Sequence, residues 1–351
     1  MADEATRTES TSDDRALRVG AKPPGAHQLI ERQKELDHAH LAMLGRGQLP
    51  SATGLLLSLR YVRTALACLL SRPGRRQPVP VPPPAAGSLA VTLVGHATVM
   101  LTSPRTRVLT DPCFASWLWG LRRAEPAVID PGDLAAVDLV LISHAHRDHL
   151  HLPSLRRVPR SATVLAPAGC LDLIQPLGFA NLRGLEPGAA FAFRDLTVTA
   201  LPARHDGRRG PLDPRWRGAL GFFVKTSDVG AYYAGDTAYF SGFADLGRRL
   251  RPDVALLPIA GYLPLALRSG HMSPLDAIAA FEELGARLLV PVGHRAFPLG
   301  YEDLHAPATW LRELAADRGY SDRVRPLGAG ETCVIRRSPA QLAQNRADGA
   351  G

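Results

Sequence analysis

With 351 residues, 46% of them apolar and 21% charged, the chain has the composition of one large or two ordinary globular domains, which excludes a disulfide-stapled miniprotein and wholesale disorder. Forty-one basic against 33 acidic residues leave a charge of +8, nearly all on arginine since only Lys22, Lys34 and Lys225 are lysines; over this length the excess is too dilute to specify an anionic partner. Cys68, Cys113, Cys170 and Cys333 stand far apart with no CxxC pair, so neither a thiolate zinc site nor a disulfide-dense framework is suggested and a reducing, cytoplasmic setting is expected.

In chain order, residues 1–30 are polar and poor in large apolar groups, the composition of a disordered tail, and lack the charged-then-apolar order of a signal peptide. Residues 31–84 read as a helical extension and linker. Helical patterning begins near Gln28 and runs to Leu44. A second, more apolar segment, Gly54 to Leu70, is interrupted by Arg60 and Arg63, which leaves it short of a membrane span. Two readings of it stay open: a helix packed on the domain, or an interfacial helix with Arg60, Arg63, Arg72, Arg75 and Arg76 toward lipid headgroups, making 54–76 a candidate membrane-surface contact. The run QPVPVPPP, Gln77 to Pro84, predicts an extended, semi-rigid spacer.

From 85 to 338 the texture changes to short apolar runs closed by Gly, Pro or Asp: LAVTLVG, RVLTDP, DLVLISH, ATVLAP, LTVTALP, LGFFVKT, AYYAGD, VALLPI and RLLVPVG. Such runs predict buried strands. Helical stretches follow at Ser241 to Leu250, Ser273 to Leu284 and Ala306 to Arg318, giving a layered α/β sandwich, and 339–351 reads as a flexible tail.

The chemistry lies where these runs stop. DLVLIS leads straight into His144-Ala-His146-Arg-Asp148-His149, three imidazoles and a carboxylate on a loop at a strand end. Neutral imidazole and carboxylate are donors that suit a divalent cation. The same grammar recurs at His205 after LTVTALPAR, Asp236 after AYYAG, and His294 after RLLVPVG.

HAHRDH, a strand-end His, GDT and a late GH together resemble the metallo-β-lactamase superfamily, over about Leu89 to Arg336. The resemblance implies a four-layer αββα sandwich and two divalent metal ions, with zinc the expected one: His144, His146 and His205 on one, Asp148, His149 and His294 on the other, Asp236 bridging. GHATVML, TDPCF, PARH, GDT-Y and HMSP…PVGHRAF are similar to the N-acylphosphatidylethanolamine phospholipase D branch, in which the His matching His271 acts near the substrate; where that branch has aromatics, this chain has Asp206 and Arg295. Sugar-phosphate lactonases share part of the pattern.

Two cations can share a hydroxide and hold it against phosphorus or a carbonyl carbon, with Asp148 both ligating and orienting that nucleophile and His271, just before the Ser273 cap, serving a leaving group. Asp111, after RVLT, and His96, in a bend of LVGHATVML, are candidates to stand behind the ligands. Tyr239, Tyr262 and Arg295 are candidate substrate contacts, and Trp117 and Trp119 a candidate apolar lip. Arg204, Arg208, Arg209, Arg215 and Arg217 cluster around His205, either to receive an anionic head group or as a solvated loop. The expected activity is metal-dependent hydrolysis of a phospholipid-like or other phosphoester. Hydrolysis of a carboxylic ester or lactone, and a non-hydrolytic metal-binding role, are the alternatives; nucleic acid is not favoured, because no basic, aromatic-interleaved element is present.

Overall fold

The computed structural model describes residues 51–70 and 76–337; for 51–58 and Arg60 it describes backbone alone. The expected tails at 1–30 and 339–351, the helical pattern at 28–44, and Arg72 and Arg75 lie outside the described residues.

Fifteen strands among the described residues form two large sheets and one small hairpin. The first sheet takes β1 (Ser88–Gly95), β2 (Thr98–Thr102), β3 (Arg107–Thr110), β6 (Leu139–Leu141), β7 (Thr163–Pro167), β8 (Asn181–Leu185) and β15 (Glu331–Arg336), in the order β15-β1-β2-β3-β6-β7-β8. The second runs β14-β13-β12-β11-β10-β9, from β9 (Ala190–Phe193), β10 (Leu196–Pro202), β11 (Leu220–Lys225), β12 (Gly230–Tyr233), β13 (Val254–Pro258) and β14 (Leu288–Val292). Strands β4 (Trp117–Leu118) and β5 (Leu121–Arg122) pair alone.

Every predicted strand run forms a strand. Their unbroken apolar character follows from burial on both faces. Between the sheets lie Leu89, Val91, Leu101, Leu139, Phe222, Val224, Tyr233 and Leu256. The outer face of the second sheet is covered by α2 (Phe243–Leu250), α3 (Pro274–Leu284) and α4 (Ala306–Asp317), following α1 (Ser51–Leu70) in the extension, with Phe243, Ile278, Phe281 and Leu311 in the seam. Helix α3 starts where its sequence says it should: Ser273 and Asp276 form a capping box, and Pro274 takes the first helical position. The outer face of the first sheet is covered by shorter helical turns, Pro131–Ala135, Leu152–Leu155 and Leu171–Ile174, packed over Ile142, Leu150 and Val164. The architecture is the expected αββα sandwich, with one outer layer reduced to turns.

Topology places the site. Strands β3, β6 and β7 run parallel, as do β12, β13 and β14, and β10 runs with them because β11 is antiparallel to both β10 and β12. The C-terminal ends of β3, β6, β10, β12, β13 and β14 therefore meet at one rim, which is why residues ending separate runs of sequence converge in space.

The extension is fixed to the domain. Tyr61 packs on Tyr301 with ring centroids 5.1 Å apart, Arg122 donates to the Leu69 carbonyl at 2.8 Å, and Cys68 is buried. Leu59, Val62, Leu66, Leu69 and Leu70 face outward as an apolar stripe. No helix among the described residues is long and apolar enough to cross a membrane. The proline spacer lies extended against the first sheet, Val81 N donating to Asp133 Oδ2 at 2.8 Å.

Candidate metal centre

At the rim, His144, His146 and His205 bring ligand atoms within 4.8 Å of one another. Their tautomers follow from the hydrogen bonds behind them. His205 Nδ1 donates to the Gly270 carbonyl at 2.7 Å. Ser143 Oγ gives its hydrogen to Asp111 Oδ2 at 2.5 Å, so it accepts from His144 Nδ1 at 2.9 Å. Both Nε2 atoms thus carry lone pairs, and both face His146 Nδ1 at 3.0 Å. One Nδ1 hydrogen cannot serve two acceptors. A cation among the three nitrogens can.

The second cluster shows the same convergence of acceptors. Asp111 Oδ2 accepts from His149 Nδ1 at 2.8 Å, so His149 presents Nε2 to the site, 3.1 Å from Asp236 Oδ2 and 3.5 Å from Asp148 Oδ2. His149 Nε2 is buried and has no hydrogen bond. Three electron-rich atoms around one point require a proton or a metal ion, and the donor set fits a divalent cation. Asp236 lies between the clusters: it faces His149, groups with His205 and His271, and has His271 Nε2 at 3.7 Å. His271 Nδ1 is committed to the Leu267 carbonyl at 2.9 Å, so its Nε2 is the atom presented to the site.

Electrostatics agree with a cation-ready centre. Burial, then the neighbouring imidazoles, push His144 well below the ordinary histidine value. Burial takes His205 down to about 4 and His294 to about 3, so both rings are neutral at neutral pH, each with one lone-pair nitrogen. Burial also opposes charge on His149, but Asp236, Asp148 and Asp111 outweigh it and hold its pKa well above the usual value. Burial raises Asp236 and Asp148, yet His149 overrides it for both, so each carboxyl titrates well below its normal range.

His96 and Asp111 stand behind the motif loop. His96 occupies the β1–β2 bend at φ +60 and meets Asp148 Oδ2 through Nε2 at 3.0 Å, close enough to group with Asp148 and His149 as a candidate ligand itself. Asp111, fully buried, accepts from Ser143 N at 2.7 Å and the Tyr233 hydroxyl at 2.6 Å besides the bonds above. His294 differs from the grouping the resemblance implies: it lines the same pocket, buried, with both ring nitrogens unbonded, and is not within ligand distance of Asp148 and His149.

The open side is a pocket of about 180 Å³, walled by His146, Asp148, Asp236, His271, His294, Arg295, Glu302 and Trp119. Arg295 is therefore at the site, its guanidinium 3.3 Å from Glu125. Two expected substrate contacts lie away from this pocket's wall. Tyr239 turns onto the helix layer, stacking on Phe243 and donating to Glu283 Oε1 at 2.6 Å. Tyr262 packs on Trp310, outside the pocket wall. Of the candidate lip, Trp119 lines the pocket and Trp117 does not.

The arginine cluster is largely self-satisfied. Arg208 pairs with Asp206, and Arg217 with Asp213 and Asp172. Arg209 donates to the Ala145 and Leu150 carbonyls, both at 2.6 Å, and so braces the HAHRDH loop.

Sequence reading missed Glu302. Its buried carboxylate accepts from Gly261 N and from Leu263 N at 3.2 Å, tying down the segment whose Leu267 and Gly270 carbonyls orient His271 and His205. Burial raises its pKa. Gly235, at φ +61 beside Asp236, was also unmarked: a Cβ there would lie 2.6 Å from Ser143 Cβ, so the two sheets approach this closely only over glycine.

Residues 106–294 match the family model described as Beta-lactamase superfamily domain. A UPF0173 metal-dependent hydrolase of Caldivirga maquilingensis is 31% identical over 207 residues, 58% of this chain and 82% of that protein. An N-acyl-phosphatidylethanolamine-hydrolyzing phospholipase D of Caenorhabditis elegans is 28% identical over 247 residues, 64% of this chain and 69% of its own. The chain spans 62% of the length of uncharacterized Mycobacterium tuberculosis relatives that are 34% identical to it. Among solved structures, a possible metal-dependent hydrolase from Veillonella parvula superposes with TM-score 0.59 at 18% identity, over 72% of this chain and 100% of that one.

Proposed function

Because the chain belongs to the metallo-β-lactamase superfamily and is a metal-dependent hydrolase, we propose that it holds two divalent cations, zinc by preference, and cleaves a phosphodiester of phospholipid-like or related type. The carrying observation is the double convergence of acceptors, imidazole on imidazole at His144, His146 and His205, and imidazole on carboxylate at His149, Asp148 and Asp236, beside one open pocket. The similarity to the nematode phospholipase supports phosphorus as the electrophile, and the outward apolar stripe of α1 supports contact with a lipid surface in a cytoplasmic setting.

Divalent cations bound there supply Lewis acidity, lowering the pKa of a water and balancing charge that gathers on the attacked group. The protein's own groups do the positioning. Asp148, held through Oδ2 by His96, accepts a hydrogen bond from the water and orients its lone pair. Asp111 and Ser143 hold His149 and His144 in single tautomers. His271 Nε2, free while Nδ1 is engaged, takes up the proton that the attacking water loses and returns it to the leaving alkoxide. Glu302 keeps the His271 segment in register.

Elemental analysis of the purified chain, with assays on bis(p-nitrophenyl) phosphate, p-nitrophenyl acetate and a lactone beside His146→Ala, tests this. About two metals per chain and diester cleavage that the substitution abolishes are expected. Turnover of the ester or lactone alone moves the reading to carbon electrophiles, and bound metal without turnover to a binding role.

A further inference from the structure

We propose that a second, solvent-open cavity between α1 and the catalytic domain holds the remainder of the substrate and takes a distal anionic group, a phosphate or a carboxylate. The inference rests on the hydrolase reading above and narrows its substrates to esters that carry a second anion away from the reacting one.

The metal pocket, about 180 Å³, holds a reacting group and little more. Small-molecule sites commonly run to several hundred cubic ångströms. The adjoining cavity measures about 540 Å³ and shares Arg295, Asp303 and Leu304 with the pocket. Its cations come from three separate stretches of chain: Arg63 in α1, Arg76 at the start of the spacer, and Arg295 next to His294. Their donors are incompletely used. Arg76 gives one N–H to the Ala329 carbonyl at 3.2 Å. Arg295 donates through one terminal nitrogen to the Leu327 carbonyl, while its Nε is buried without a hydrogen bond, 3.3 Å from Glu125. Arg63 has no hydrogen-bond or ion-pair partner among the described residues.

Against three guanidiniums stand two carboxylates, Glu125 beside Arg295 and Asp303, whose Oδ1 already accepts from His305 N at 3.0 Å. Converging guanidinium forks with unspent donors suit a phosphate or carboxylate, which completes them at little desolvation cost to itself. Ala67, Cys68 and Leu304 supply apolar wall for the linking part of the ligand. The helix is thereby a wall of the substrate site, held in place by Tyr61 on Tyr301 and by Arg122 on the Leu69 carbonyl.

The test is calorimetric titration of the metal-loaded full chain with an alkylphosphonate, with α,ω-alkane bisphosphonates of increasing length, and with the matching ω-carboxyalkylphosphonates. A doubly anionic probe of suitable length is expected to bind about tenfold more tightly than the monophosphonate, and Arg63→Gln with Arg76→Gln to bring that ratio close to one. Whichever series shows the advantage identifies the distal group as phosphate or carboxylate. Equal binding of singly and doubly anionic probes overturns the proposal, as does an advantage that survives both substitutions. Failure of every phosphonate to bind refutes the phosphoester reading of the metal centre, and this proposal with it.

Discussion

Asp111→Asn is the sharpest perturbation of the ligand scaffold. The native carboxylate, fully buried, accepts four hydrogen bonds: Ser143 N at 2.7 Å, Ser143 Oγ at 2.5 Å, Tyr233 OH at 2.6 Å and His149 Nδ1 at 2.8 Å. Asparagine has the same shape but one acceptor oxygen. Its best orientation keeps that oxygen on the Oδ2 side, where three donors meet, and turns its NH2 onto the Ser143 N–H. One buried donor is then unsatisfied, at about 1–3 kcal/mol, and three bonds to a charged acceptor become neutral ones, at roughly 0.5–1.5 kcal/mol each. Burying a neutral amide in place of a carboxylate offsets the upper part of that sum, leaving about 3 kcal/mol of destabilisation. Because Asp111 orients His149 directly and His144 through Ser143, metal affinity should fall about 10- to 100-fold as well. Urea unfolding of the metal-free chain and a competitive zinc titration read the two effects separately. A variant with native stability and native zinc affinity would refute the tautomer argument outright.

Three further outcomes are expected. Gly235→Ala puts a methyl 2.6 Å from Ser143 Cβ at a left-handed position, so it should cost about 2–4 kcal/mol, read from the denaturant midpoint; a loss under about 1 kcal/mol would mean the rim yields easily. Glu302→Gln leaves one of two backbone N–H groups facing an amide NH2, and should lower kcat about tenfold while metal content stays native; a fall in metal content instead would place Glu302 among the supports of the ligands. In the metal-free chain Asp236 and Asp148 keep His149 protonated above its usual pKa, so cation binding expels that proton and affinity rises with pH until His149 is neutral without metal. Calorimetry at pH 7 in buffers of different ionisation enthalpy should therefore show about one proton released, and none would mean that His149 is already neutral.

The sandwich and the donor set were legible because both depend on local pattern. An apolar run buried on two faces looks different from its surroundings, and parallel strands carry whatever follows their last residue to a common rim, so His144, His205, Asp236 and His294 announced themselves by position alone. Direction was not legible. Tyr239 also follows a strand end, but three residues beyond Asp236 the chain has turned onto the helix layer, where Glu283 takes its hydroxyl. Strand β15 escaped notice because its burial alternates, leaving no continuous apolar run. Glu302 escaped because its value depends on two N–H groups some forty positions away, a relation with no sequence signature. The arginines around His205 read either as an anion-binding cluster or as a solvated loop, and pattern could not show that aspartates and carbonyls occupy most of them.

Candidate donors come from both sheets, the HAHRDH loop from the first and His205 and Asp236 from the second. On the ribosome the first half of the chain emerges with its imidazoles and carboxylate but without the partners that complete a cation's surroundings. The second sheet's candidate donors, His205 and Asp236, join it only after about 90 further residues, from His144 to Asp236, are made and that sheet has docked. The full candidate donor set exists only once both halves of the sandwich have closed on each other.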